Sequence, residues 1–201
     1  MNTLRAAAAT AAAAAMALAP LSAAGAAPAP APPKPAFLAA KELPGSLTPW
    51  TAQKVRPGRA DDHCVGTVLP KSSSSYRVFR TELDTSAHQT VTVAASEAGA
   101  KRLVTKVRAA LDSCLDRLKE RYPTLEGTAG YHGRIDVEEG AHVYSVDTAD
   151  PAVGSSDVSL HSVGRDGRTV TVVGWGQLGD LGGAPLKGFQ KTARTSVAKL
   201  Y

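Results

Sequence analysis

Hydrophobic positions along this chain change period several times, and each change marks a structural element. Between Ser96 and Pro123, apolar residues recur at three- and four-residue steps: Ala100, Leu103, Val104, Val107, Leu111, Cys114, Leu115 and Leu118. That spacing predicts one long amphipathic helix. Ser96 caps it, Glu97 complements the positive end of its dipole, and Pro123 stops it. A second, terminal helix follows from Leu186, Phe189, Ala193, Val197 and Leu200, with Pro185 at its first position. A short amphipathic helix is expected over 37–43, stopped by Pro44.

Alternation by two predicts the strands. Residues 76–83 and 89–95 form a hairpin about Asp84-Thr85-Ser86, with Phe79, Thr81 and Leu83 on one side and Val91, Val93 and Ala95 facing the core. Trp50–Val55, Tyr131–Val137 and Ala141–Asp147 are further strands, and 56–62 reads as loop. Val158–Val163 and Thr169–Trp175 are the clearest pair, and two registers are open to them. A two-residue Asp166-Gly167 turn puts Val158 and Leu160 on the face of Thr171 and Trp175. A three-residue loop, Arg165-Asp166-Gly167 with Gly167 left-handed, puts them with Val170 and Val172. The second separates apolar from mixed residues better and is the expected register. Its other face carries Ser159, His161, Thr169, Thr171 and Trp175. The order strands, helix, strands, helix gives an α+β fold. The expected form is an antiparallel sheet of about five to six strands, with the long central helix and the C-terminal helix packed on one face.

The first 26 residues set the compartment. Arg5 precedes an apolar run, Ala6–Leu21, and Ala24-Gly25-Ala26 fits a signal-peptidase site. A membrane anchor is disfavoured because Pro20 breaks the run and no charged stop-transfer flank follows. Residues 27–35 (APAPAPPKP) cannot bury apolar area and read as an extended spacer. A single domain is expected over 36–201, secreted, with no stable membrane insertion after processing, and monomeric. An even pair of cysteines, Cys64 and Cys114, in an exported chain predicts one disulfide.

Charge and motifs narrow the chemistry. The chain has 23 Lys+Arg against 18 Asp+Glu, and its densest basic stretch, 101–121, is interrupted by Asp112, Asp116 and Glu120. That is the pattern of a solvated helix face, and no nucleic-acid partner is expected. There is no G-x-S-x-G, H-E-x-x-H or P-loop pattern, so no catalytic residue is assigned. The five histidines are His63, His88, His132, His142 and His161. Asp61-Asp62-His63-Cys64 is suggestive of a metal, but its cysteine is better explained as a disulfide partner, and no metal or cofactor is expected. Gly174-Trp175-Gly176 reads as a flexible strand exit. Trp175, beside that glycine-rich segment, either lines a ligand pocket or plugs the core beneath it. Arg80 and His161 are the polar contacts proposed with it.

The placing of Cys64 ahead of the first hairpin, the long helix with Cys114 near its end, and Arg168-Thr-Val-Thr-Val-Val-Gly-Trp175 before a terminal helix carry a resemblance. The chain resembles small exported actinobacterial domains similar to the extracellular sensor domain of the mycobacterial serine/threonine kinase H (PknH-like), and streptomycete secreted proteins of that kind. The resemblance covers roughly 37–201. It implies an α+β fold with a ligand-binding cleft and no catalytic residues. That sensor domain has two disulfides, whereas this chain has cysteines for one, and here no kinase domain follows. The function expected is that of a secreted, non-enzymatic binding domain for a small molecule, lipid or cell-wall fragment. The alternatives are a secreted enzyme, such as a hydrolase with an unfamiliar site, or an interaction protein of the envelope.

Overall fold

The computed structural model describes residues 34–201. The signal segment expected at 1–26 and all of the expected spacer but Lys34 and Pro35 lie outside the described residues. Chain order after a 3-10 turn at Ala40–Glu42 is β1 (Thr51–Ala52), β2 (Arg56–Pro57), β3 (Ser74–Arg80), β4 (Ser86–Val93), α1 (Glu97–Asp112), α2 (Cys114–Arg121), β5 (Glu126–Ile135), β6 (Ala141–Asp150), β7 (Ser155–Asp166), β8 (Thr169–Leu178) and α3 (Leu186–Ala198). The fold is α+β. One antiparallel sheet runs β1-β3-β4-β8-β7-β6-β5, with β2 also on β3. Eight strands replace the expected five to six. β1 is a two-residue remnant of the strand expected at Trp50–Val55, and β2, in the segment read as loop, is too short to show any period.

The register of β7 and β8 corrects the expected one. Asp166 pairs with Thr169, leaving Gly167-Arg168 as a two-residue turn, and Leu160 faces Trp175 while Val163 faces Val172. Gly167 has φ +52° at the first turn position, where a primed hairpin turn needs a positive angle. The turn is one residue further along than Asp166-Gly167, but side-chain parity is that of a two-residue loop. Val158 and Leu160 therefore share a face with Thr171 and Trp175, not with Val170 and Val172.

The same parity explains where the helices go. Val163, Val170 and Val172 pack with Ala100, Leu103, Val107 and Leu111 of α1 and with Cys114 and Leu115 of α2. Val143, Val158, Leu160, Val173 and Trp175 pack with Phe189 and Ala193 of α3. Direct neighbours on one strand point to opposite faces, so α1–α2 and α3 cover opposite faces of the sheet rather than one face. Residues 169–175 of β8 are all buried. A strand covered on both sides reads as a near-continuous apolar run, and Val170-Thr-Val-Val is that run.

Ser96 caps α1, accepting from the Gly99 amide. The single helix expected to Pro123 breaks at Ser113, which has φ −100° and ψ 10°. Ser113 Oγ donates back to the Ala109 carbonyl, a contact that competes with helix propagation. Cys114 opens α2 and is bonded to Cys64, with Cα atoms 5.0 Å apart. At the N-terminal side, the Leu38 amide donates to buried Gln89 and the Ala36 amide to the Lys199 carbonyl. The residues ahead of β1 are thus tied to the α3 side of the sheet, where 37–43 gives only the 3-10 turn.

Candidate functional site: a glycine-floored cleft beside an Asp-His-Ser cluster

Two glycines on β8 open a trough on the α1–α2 face. Gly174 lies between His88 of β4 and His161 of β7, and Gly176 between Ser86 and Ser159. A Cβ at 174 would sit 2.3 Å from His88 Cε1, so the glycine is what lets that imidazole lie across the strand. Above Gly176 the space is free, the nearest atom to a Cβ there being the Val158 carbonyl oxygen at 3.5 Å. The strand-exit glycines are therefore the floor of a site.

Asp62 enters from the loop that the disulfide ties to α2. Its Oδ1 accepts from the Cys64 and Val65 amides at 2.8 and 2.9 Å. Arg117 of α2 holds the same loop by donating to the Cys64 carbonyl at 2.6 Å. The other oxygen, Oδ2, meets His88 Nε2 at 2.9 Å and His161 Nδ1 at 3.3 Å. The second contact lies off the direction of a hydrogen bond, which leaves the buried His161 Nδ1 without a bonded partner. On its far side, His161 Nε2 meets Ser159 Oγ at 3.2 Å. Ser159 is two residues earlier on the same strand and hence on the same face. The His63 ring stands edge-on to His161, centroids 5.7 Å apart.

Burial alone would raise the Asp62 carboxyl. His161 and His88 overcome it and hold the group well below its ordinary value of 3.8. His63 shifts down from 6.5, first through loss of water where it lies against the cluster and then through the facing His161. The ring is thus biased towards neutral imidazole.

Two connected cavities share His63, Ser86, Ser159 and Gly176. The smaller, about 160 Å³, lies over the Asp62–His88–His161 cluster. The larger, about 600 Å³, runs along the end of α2, within the range of small-molecule sites. Leu118, Tyr122, Leu125 and Val146 give it an apolar wall, while Arg121, Asp157 and Gln177 add polar groups. Its mouth is at the sheet end where β3 turns to β4, α2 leads to β5, β6 turns to β7 and β8 stops. Leu83, Tyr122, Val153 and Leu178 are exposed there.

The three residues expected at a ligand site are not brought together on one face. His161 is 2% exposed and faces α1–α2, whereas Trp175 is 2% exposed and packs among the α3-side residues. Trp175 lies along the smaller cavity, but its indole Nε1 is buried without a partner. Arg80 is exposed at the end of β3, opposite Ser86, and does not line either cavity. Asp62, His88 and Ser159 were missed as a group. Asp62 stood within a flagged motif, and Ser159 shared a predicted face with His161, but only the strand order brings His88 beside them.

The donor set is not converged for a metal. Among the described residues, the groups within ligand spacing are Asp62, Cys64, His161 and His63, Cys64, Cys114. Each contains disulfide sulfur, which offers no thiolate. Comparison of the chain with protein-family models, with curated proteins and with solved structures finds no match.

Proposed function

We propose that this chain is an exported ligand-binding domain of the sensor type, resembling the extracellular domain of kinase H, and that its ligand occupies the cleft between α2 and the ends of β4, β6, β7 and β8. The observation carrying this reading is the cavity of about 600 Å³ with an apolar wall and a polar floor. Such a lining suits a small amphiphile, a lipid or a lipid-linked cell-wall fragment, with its chain against Leu118, Leu125 and Val146 and its polar part towards His63 and Ser159. Export is supported by the signal-like start and by the Cys64–Cys114 bond. No helix among the described residues is long and apolar enough to cross a membrane.

The test is thermal unfolding of the secreted protein with single-chain lipids and soluble wall fragments. A bound ligand at 100 times its Kd adds about 2.7 kcal/mol, a rise of several degrees for a domain of this size. Gly176→Val projects a side chain into the cleft where a Cβ has ordinary contacts. It should keep the fold and abolish the ligand-induced rise. No rise with any pool, or a rise that survives Gly176→Val unchanged, would overturn the site.

A further inference from the structure

The three groups at the cleft floor stand in acid–base–nucleophile order: Asp62 Oδ2 to His161 Nδ1 at 3.3 Å, and His161 Nε2 to Ser159 Oγ at 3.2 Å. Ser159 is only partly buried, and it lines both cavities, so a carbonyl in the cleft can reach its hydroxyl. His88 Nε2, at 2.9 Å, shares Asp62 Oδ2 with His161. The carboxylate that faces His161 Nδ1 is fixed from behind by two backbone amides. Nδ1 lies 3.3 Å from Asp62 Oδ2 but off the line of a hydrogen bond; with the proton on Nδ1, the imidazole Nε2 is the acceptor that faces the Ser159 hydroxyl. The competing acceptor for Ser159 Oγ, the Val146 carbonyl, is further away at 3.4 Å. Contacts of this length are usual in unliganded serine-histidine pairs, which tighten when substrate fills the site.

We propose that Ser159 is a nucleophile, with His161 as its general base and Asp62 as the positioning carboxylate, and that the site cleaves carboxylic esters bearing an apolar chain. The inference rests on the cleft-binding reading above. As Ser159 Oγ attacks the ester carbon, its proton passes to His161 Nε2. The bond from that carbon to the alcohol oxygen then breaks, and the imidazolium returns its proton to the leaving alcohol. Water adds to the acyl-Ser159 in the same way, its proton going to His161 and then to Ser159 Oγ. The fatty acid is released and no oxidant or metal is consumed. The His63 imidazole lines the same two cavities and offers an N–H for the developing oxyanion.

The experiment is intact-mass analysis of the secreted protein with an alkyl fluorophosphonate, followed by peptide mapping and by hydrolysis of a nitrophenyl alkanoate. One phosphonyl group should add at Ser159. Ser159→Ala should abolish both labelling and turnover, and His161→Gln should slow each by at least about 100-fold. Asp62→Asn keeps an oxygen for the loop amides but removes the acceptor that His88 meets as well, so His161→Gln with an unchanged melting temperature is the deciding variant. A folded protein that binds a non-reactive alkyl amphiphile but gains no mass at Ser159 would refute the nucleophile and leave the binding site standing. Absence of both binding and labelling would remove both. Labelling of Ser159 that is unchanged by His161→Gln would refute the base.

Discussion

At the scale of single residues, Asp62 is the keystone of the site. One oxygen orders the loop and the other faces two histidines. Its folded carboxyl titrates below its unfolded value of 3.8, so the stabilisation it gives is complete above that pH and is lost as pH falls through the lower folded value. His63 adds to this from a higher range. Its folded pKa is lowered from 6.5, so the fold binds fewer protons than the unfolded chain and loses stability as pH falls below 6.5. Urea midpoints measured from pH 7 to pH 3 should fall in two stages, and His63→Gln should shrink the upper one, which His142, also lowered from 6.5 by burial, shares. A profile unchanged by that substitution contradicts the assignment. Gly174→Ala tests the floor. Its Cβ would drive the His88 ring off Asp62, and the lost buried hydrogen bond costs about 1–3 kcal/mol. Chemical denaturation checks this, and a neutral effect would show that the ring has somewhere else to go.

At the scale of elements, the longer strands and the two helical stretches were legible because their apolar periods are long, but the break of the first helix at Ser113 was not. The α1 stripe from Ala100 to Leu111 and the α3 stripe through Phe189, Ala193 and Val197 are buried as the spacing requires. What was not legible is which face each helix takes. Thr169–Trp175 carries apolar residues at consecutive positions, and a strand buried on both faces cannot reveal its register through alternation. The turn was the only guide, and Gly167 satisfies either loop. That single residue of slippage joined His161 and Trp175 on one face, and kept Ser159 and His161 away from α1–α2. Leu160→Ala should cost about 2–5 kcal/mol, since the side chain is wholly buried beneath α3. A cost below 1 kcal/mol in urea denaturation would contradict the observed register. Replacing both cysteines by Ser opens a bond spanning 50 residues. In the chain-entropy model it is worth about 4 kcal/mol, a fall of about 10 °C in melting temperature. Calorimetry of the two forms decides it, and an unchanged Tm would mean that Arg117 and α2 hold the loop without the bond.

At the scale of the whole molecule, both faces of the sheet carry a packed core, and only the α1–α2 side also leaves room for a site. The α3 side is closed by Phe189, Val197 and Leu200, all wholly buried. Gly164 there has Val197 Cγ2 where a Cβ would be, at 2.5 Å, and Gly164→Ala should cost about 1–3 kcal/mol by overpacking. On the α1–α2 side, the helix pair does not extend over the last rows of the sheet, and Gly174 and Gly176 leave the vacant volume above them. The central claim is that this volume takes a ligand. The most direct measurement is the map of backbone amide shifts in a 15N–1H spectrum as a monomeric single-chain zwitterionic lipid is added. Saturable shifts should gather at Ser86, Leu118, Val146, Ser159, Gly176 and Leu178, and Gly176→Val should abolish them. Shifts confined to α3, or a spectrum that the lipid leaves unchanged, would contradict the account.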